Sequence, residues 1–196
     1  MLNVLLLNAR TSDDTSARSA LRSASDAAHQ RMHGLEPFTK IASGTLPVDE
    51  YRRLLQSLYL FHSAVGEAAD KGGWSRVSSA QRRLELLRSD LSALGGAVPV
   101  PVSGWDAGAG KAVLGSLYVA EGSMLGGRVV ARQLDFLCGS QEDGRRFFVG
   151  DACDRANWSH LTKVLEDQCS QSPALSEAID GACRTFDWFE QCIVAP

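Results

Sequence analysis

Apolar residues recur along this chain at intervals of three and four and almost nowhere at intervals of two, which is the pattern of amphipathic helices rather than strands. The pattern predicts a first helix capped by Ser16 or Thr15 and running to about Met32, with Leu21, Ala24, Ala28 and Met32 on one face and Gly34 as its stop. A second helix is predicted from near Pro47, with Thr45 close to the cap, to about Ala69. It carries Tyr51, Leu54, Leu55, Leu58, Tyr59, Phe61 and Val65 and ends at Gly72-Gly73. A third opens at Ser78 or Ser79, carries Leu84, Leu87, Leu91 and Leu94, and stops at Gly95-Gly96. Val98–Trp105 reads as an extended connector, because its two prolines lack backbone donors and bias the residues before them away from the helix. Further helices are predicted over about Asp106–Cys138, Glu142–Phe148 and Arg155–Cys169, and from Ser172-Pro173 to about Ile193. No repeat and no low-complexity linker divides them. The expected architecture is a single all-α domain, a helical bundle over residues 17–196, behind a lead-in segment over residues 1–16.

The helix predicted over Asp106–Cys138 has a conflict built into it. Val113, Leu114, Leu117, Val119, Leu125, Val129, Val130 and Leu134 keep a roughly helical period, yet Gly115, Gly122, Gly126 and Gly127 lie among them. Each glycine costs about 1 kcal/mol against alanine in a helix interior. Four together cost roughly 3–4 kcal/mol, a sizeable share of a domain's net stability. Glycines persist in such a place where the helix kinks or where its backbone must approach another body closely. That body is either a second helix or a ligand, and the residues alone leave both open.

Composition narrows the picture. The 196 residues suffice for one domain with a full core. A net charge of −3 argues against a nucleic-acid partner, which would call for a basic stripe. The five cysteines are odd in number and have no C-x-x-C spacing, so neither a disulfide framework nor a zinc site is indicated, and a reducing cytoplasmic setting is expected. Met1–Leu7 is apolar but lacks the basic flank and cleavage site of a signal peptide, and no run approaches the roughly 18 apolar residues of a membrane span.

Four histidines remain as candidate chemistry. His29 and His33 stand four residues apart and can face the same way, but the intervening residues lack the glutamate of H-E-x-x-H. They read either as a metal pair or as ordinary helix-surface residues. His62 falls on the densest apolar face and reads as a core histidine, and His160 as a surface one. There is no phosphate loop, dinucleotide fingerprint or Ser-His-Asp arrangement. A glycine-faced helix offers backbone to whatever lies on it. A flat, rigid ligand held between such a helix and a second one bearing an imidazole could be ligated through a metal at its centre, the geometry a heme requires. Close helix–helix packing explains the same glycines.

Three blocks give the chain a resemblance to the heme oxygenases, in the bacterial form associated with bacteriophytochromes. Leu21–His29 (LRSASDAAH) is similar to the family's proximal block. Leu58-Tyr59 lies in a stretch similar to its second helix. Glu121–Gly127 (EGSMLGG) is similar to its distal helix. Phe147–Gly150, Trp158 and the ending FDWFEQC extend the likeness to about 17–194. The resemblance implies a heme-oxygenase-like bundle with heme, both substrate and cofactor, between a proximal helix and a glycine-rich distal one. It also implies cleavage of heme to biliverdin, CO and Fe(II) with O2 and reducing equivalents. It implies His29 as the iron ligand, Gly122, Ser123, Gly126 and Gly127 as the distal wall, Arg22 and Lys163 as partners of the heme carboxylates, and Phe189 at the heme edge. A ferredoxin or flavoprotein reductase would supply electrons, and a bacteriophytochrome could receive the product. No nucleic acid or membrane partner is implied.

Two positions depart from the animal members of that family. Ser123 stands where they carry an aspartate that organises distal water, and His33 where they carry a glutamate one turn after the proximal ligand. A hydroxyl brings no charge, and an imidazole strengthens a ligand's donor character less than a carboxylate does. These departures keep a rival open, a non-catalytic heme carrier on the same fold. A thiaminase-like helical enzyme would need a nucleophilic cysteine in a setting that none of the five shows, and a purely structural module would leave the distal glycines unexplained.

Overall fold

The computed structural model describes residues 16–101 and 104–194; of the expected lead-in over 1–16 only Ser16 is among them, and 102–103 of the expected connector lie outside them. The described residues form ten α-helices and no strand. α1 spans Ala17–His33, and its first turn is closed by Ser16, whose Oγ accepts the Ser19 N–H at 3.1 Å. The inward face of α1 carries Leu21, Ser25, Ala28 and Met32. Ala24, expected on that face, is exposed, and Ser25 takes its place by donating its hydroxyl to the Leu21 carbonyl at 2.7 Å.

α2, Glu36–Ser43, is an element that the apolar period did not predict. Its signals are local: Pro37 in the first turn and Gly44 at φ 69° just past the end, a conformation that favours glycine. α3 (Val48–Lys71) and α4 (Ala80–Ala93) follow as the pattern indicates, with a 3₁₀ turn over Ser75–Val77 between them.

The single long helix expected over Asp106–Cys138 is three. α5 is Ala112–Gly122, α6 is Met124–Gln133 and α7 is Asp135–Cys138. Residues 106–111 stay out of the helix, where Gly108 and Gly110 adopt φ of 86° and 64°. α8 covers only Arg146–Val149 of the helix predicted near Glu142–Phe148. α9 (Cys153–Cys169) and α10 (Ala174–Val194) match expectation within two residues.

Two apolar clusters make the core. One joins α1, α3, α5, α9 and α10 around Leu21, Phe61, Leu114, Leu117, Leu161 and Phe186. The other joins α2, α3, α4, α6 and α8 around Ile41, Tyr51, Leu55, Leu87, Leu134 and Phe147. Phe189 packs against both. α5 and α10 cross almost backbone to backbone. A β-carbon on Gly115 would stand 1.8 Å from the Ala178 carbonyl oxygen, and one on Gly181 1.9 Å from that of Ala112. Gly115 is thus a packing glycine, and half the question raised by the glycine-bearing segment is answered there.

Candidate functional site

His29 lies on the outer side of α1, exposed, with its ring edge-on to His33 at 4.8 Å and to Phe186 of α10 at 6.3 Å. Partial burial lowers its pKa, and the nearby His33 and Arg22 charges add to this against the opposing effect of Asp26. The neutral imidazole, the form with a free lone pair, is favoured. Arg22, two turns earlier, is exposed, and its charge also reaches Tyr118 of α5. The tip of α1 meets α5 and α9 at one aromatic point: the Arg18 guanidinium sits 5.8 Å over the Trp158 ring, which packs against Tyr118 at 5.5 Å.

Gly122 ends α5 beside that point, where a β-carbon would come within 3.3 Å of Trp158. Ser123 separates α5 from α6, and its hydroxyl donates to the Ala120 carbonyl at 2.8 Å, leaving the oxygen lone pairs as acceptors. Beyond this break α6 has two unlike faces. Gly127 and Ala131 are buried, and a β-carbon on Gly127 would stand 2.7 Å from the Phe148 carbonyl oxygen. On the opposite side Gly126 has no atom within 4 Å of where its β-carbon would be, and Leu125 and Val129 are 56% and 50% exposed. The distal glycines therefore do not act as a set. Gly126 opens a surface, Gly122 meets Trp158, and Gly127 lets α6 rest on the turn at Phe148.

Lys163 is exposed on α9, one turn before Glu166, whose carboxylate accepts the Ala17 and Arg18 amides at the start of α1, at 2.8 and 3.0 Å. Phe189, half buried, stacks on Phe38 at 6.3 Å and meets Phe61 edge-on at 4.9 Å. His160 is exposed, as expected. His62 is a core histidine, but its Nε2 has no hydrogen-bond partner among the described residues, and burial together with the Arg83 charge lowers its pKa to about 3.

Sequence reasoning missed a buried polar knot behind the break. Glu121 accepts both the backbone N–H (2.7 Å) and the hydroxyl (2.7 and 2.6 Å) of Ser79. Arg83, 1% exposed, lies 3.7 Å from Glu121 and 2.7 Å from Asp154, so α4, α5 and α9 are tied together at the residue preceding Gly122. The only trace in the sequence is a glutamate at the end of an otherwise apolar run. A shallow hollow of about 310 Å³ near the start of α5, lined in part by Glu177, Asp180 and Arg184, contains none of these residues.

The donors present suit one class of ligand. Among the described residues no group of three or more His, Cys, Asp or Glu could hold a bare metal ion. A single exposed imidazole suits a metal that arrives inside its own ring system. Leu125, Val129 and the bare backbone at Gly126 suit an apolar face, and Arg22 an anionic edge.

Comparison with known proteins points the same way. The family model described as heme oxygenase matches residues 15–98, a span that contains His29 but not α5 or α6. A heme oxygenase of Xanthomonas campestris pv. campestris (strain 8004) is 32% identical over 162 residues, covering 79% of this chain and 95% of that protein. The heme oxygenase of Neisseria meningitidis, solved bound to NO and CO, shares the fold with a TM-score of 0.71 at 22% identity, over 91% of this chain and 90% of that one. Heme oxygenase-1 of the cyanobacterium Synechocystis sp. PCC6803, solved with heme, gives a TM-score of 0.65 at 17% identity, over 90% and 91%.

Proposed function

The chain belongs to the heme oxygenase family, and we propose that it performs the family's reaction with His29 as iron ligand and the Gly122–Gly127 stretch as the opposite wall. It is a heme-cleaving oxidoreductase that yields biliverdin, CO and Fe(II) from heme, O2 and reducing equivalents. The observation that carries this reading is the identity with the Xanthomonas enzyme across nearly its whole length. Bound heme supplies the iron centre at which O2 is activated and is itself the ring that opens.

The chain's own residues have four tasks. His29 would hold the iron through the lone pair of an imidazole already biased toward neutrality. Gly126 presents backbone without a side chain, so nothing bulky or oxidisable stands over the reacting face, and Leu125 and Val129 flank it with apolar surface. Gly122 and Gly127 serve the same wall indirectly, the first against Trp158 and the second against α8. The Ser123 hydroxyl donates to the Ala120 carbonyl, which leaves its Oγ lone pairs able to accept from water, and the side chain offers the proton path no carboxylate. Arg22 and Lys163 pair with the ligand's carboxylates, and Phe189 closes the edge from α10.

Electrons come from a ferredoxin or flavoprotein reductase, and a bacteriophytochrome is the expected recipient where the bilin is used as a chromophore. All five cysteines are free, which suits a reducing cytoplasm. Among the described residues no helix is long and apolar enough to cross a membrane. Nothing favours the non-catalytic carrier. The deciding experiment adds heme to the purified protein, records its absorption spectrum, then adds a reductase system under air. A histidine-ligated spectrum converting to bilin supports the reading, and stable ferrous heme without bilin defeats it.

A further inference from the structure

We propose that Asp90, on α4 and far along the chain from every residue named above as touching heme, is a positioning residue for the α6 wall. The inference rests on the functional reading just given. Asp90 is fully buried, and each of its carboxylate oxygens accepts one backbone N–H: Oδ1 from Arg146 and Oδ2 from Phe147, both at 2.8 Å. Those two amides open α8, so the carboxylate fixes the turn rather than any side chain on it.

That turn is what α6 leans on. The Phe148 carbonyl is the surface that a β-carbon at Gly127 would strike, and the segment grips α6 a second time through Arg145. The Arg145 guanidinium donates to the Ala131 carbonyl at 2.6 Å and to the Gly139 carbonyl at 2.9 Å, and pairs with Asp135. Gly127 and Ala131 are the buried face of α6. The opposite face bears Gly126, Leu125 and Val129. The Arg145–Val149 turn is therefore a support on which the position of the open face depends. A second tie from the core, the Tyr51 hydroxyl donating to the Gly144 carbonyl at 2.7 Å, holds the turn beside Asp90.

The arrangement is costly, as expected of a group kept for position rather than for stability. Burial drives the Asp90 carboxyl up to about 6, against the two amide bonds and the Arg146 charge that favour ionisation; Asp143 adds to the upward push. An apolar residue at 90 would avoid that cost but would leave two buried N–H groups without acceptors. A displacement of about 1 Å at a reacting face can cost roughly a hundredfold in rate, so such a tie matters to chemistry even where it adds little to net stability.

The test is Asp90→Asn, which keeps the shape and one acceptor but turns an NH2 toward the second amide. Its control is Leu175→Ala, at the start of α10 away from α6, chosen to lower the melting temperature comparably. In the ligand-free proteins, hydrogen exchange of the α6 amides is expected to quicken at least tenfold in Asp90→Asn, with α1 unchanged, and to stay at the wild-type rate in the control. In the heme-loaded proteins, Asp90→Asn is expected to release a second biliverdin isomer where the wild type releases one. Unchanged α6 exchange in folded Asp90→Asn, or equal quickening in the control, overturns the proposal. If Asp90→Asn does not fold, Tyr51→Phe takes its place with a smaller quickening confined to α6, and no change there is equally fatal. A wild type that binds no heme would sink the functional reading, while the exchange data still decide whether Asp90 holds α6.

Discussion

The two segments proposed to hold the heme iron and to wall its opposite side, α1 and α5–α6, are built in opposite ways. α1 runs unbroken for 17 residues and carries its proposed site side chains, His29 and Arg22, exposed; the helix is tied at its start through Ser16 and Glu166 and near its end by Arg31 pairing with Asp187 and Glu190 of α10. The α5–α6 segment bears its chemistry on backbone and is held from three directions, by Ser79 and Arg83 on Glu121, by Phe148 under Gly127, and by Arg145 at Ala131. A side chain can swing to meet a ligand. A backbone wall cannot, so its position must be set by the surrounding structure. The difference teaches where to look for residues that matter but never touch the ligand: behind the glycines, not behind the histidine.

The sharpest way to break this comparison is at the free side chain. His29→Ala should abolish the histidine-ligated spectrum and bilin formation while leaving the melt of the apo protein within about 0.5 kcal/mol of wild type, because an exposed helix residue contributes little to folding. Added imidazole should restore part of the spectrum. His33→Ala should keep both spectrum and turnover. If the two variants exchange roles, the wrong histidine has been assigned.

On the held segment the ordering reverses, and the fold suffers first. Glu121→Ala leaves Arg83 buried with Asp154 as its only close carboxylate among the described residues and removes the acceptor of the Ser79 amide and hydroxyl. Breaking a buried charge pair costs roughly 3–5 kcal/mol. Urea unfolding should register a loss of that order, large enough to compromise the protein at 37 °C. A loss below about 1 kcal/mol would mean that the knot does not anchor the break.

The glycines separate the two roles within one helix. Neither Gly126 nor Gly127 has positive φ, so alanine fits the backbone at both. Gly126→Ala should raise apo stability by about 1 kcal/mol, since its β-carbon meets nothing, and should depress bilin formation by intruding on the reacting face. Gly127→Ala forces its methyl against the Phe148 carbonyl and should cost about 1–3 kcal/mol through overpacking. Thermal melts of the two apo variants beside bilin yields decide it. A destabilised Gly126→Ala with normal yield per folded molecule would return Gly126 to the packing class.

How much of this was legible in the chain follows from the same contrast. The amphipathic period located α1, α3, α4, α9 and α10, because each buries one stripe of side chains and period reports burial. It missed α2, whose eight residues bury only Ile41 and whose evidence is its punctuation at Pro37 and Gly44. It ran α5, α6 and α7 together, because their apolar period carries across Ser123. The period places His29 and Arg22 on α1, while the roles proposed for them rest on the family resemblance. The division of labour among Gly115, Gly122, Gly126 and Gly127 was not legible, since a glycine's purpose is written in what stands opposite it, and those partners are Ala178, Trp158, open space and Phe148. Arg83 and Asp90 were invisible for the same reason: buried charge is specified by partners 38 and 56 residues away, Glu121 and Arg146.

The smallest effect is expected at the exposed cations Arg22 and Lys163, and it sharpens the comparison rather than breaking it. Arg22 and Lys163 are both exposed, on α1 and α9, and neither lies within ion-pair distance of a carboxylate among the described residues. Each is thus available to an anionic ligand, but in water an exposed pair contributes only about 0–1 kcal/mol. Arg22→Ala with Lys163→Ala should therefore weaken heme affinity by at most about thirtyfold, while leaving the apo melt unchanged. Orientation should respond more than affinity. Two cations on different helices fix where the carboxylates sit, and without them the ring is free to turn in its plane against an apolar, featureless wall at Gly126. A mixture of biliverdin isomers is the sign of that rotation, read by chromatography of the product. The mixture should arise with α6 amide exchange at the wild-type rate, which distinguishes loss of a ligand contact from the slackened wall expected of Asp90→Asn. Unchanged affinity together with one unchanged isomer in the double variant would remove both cations from the site.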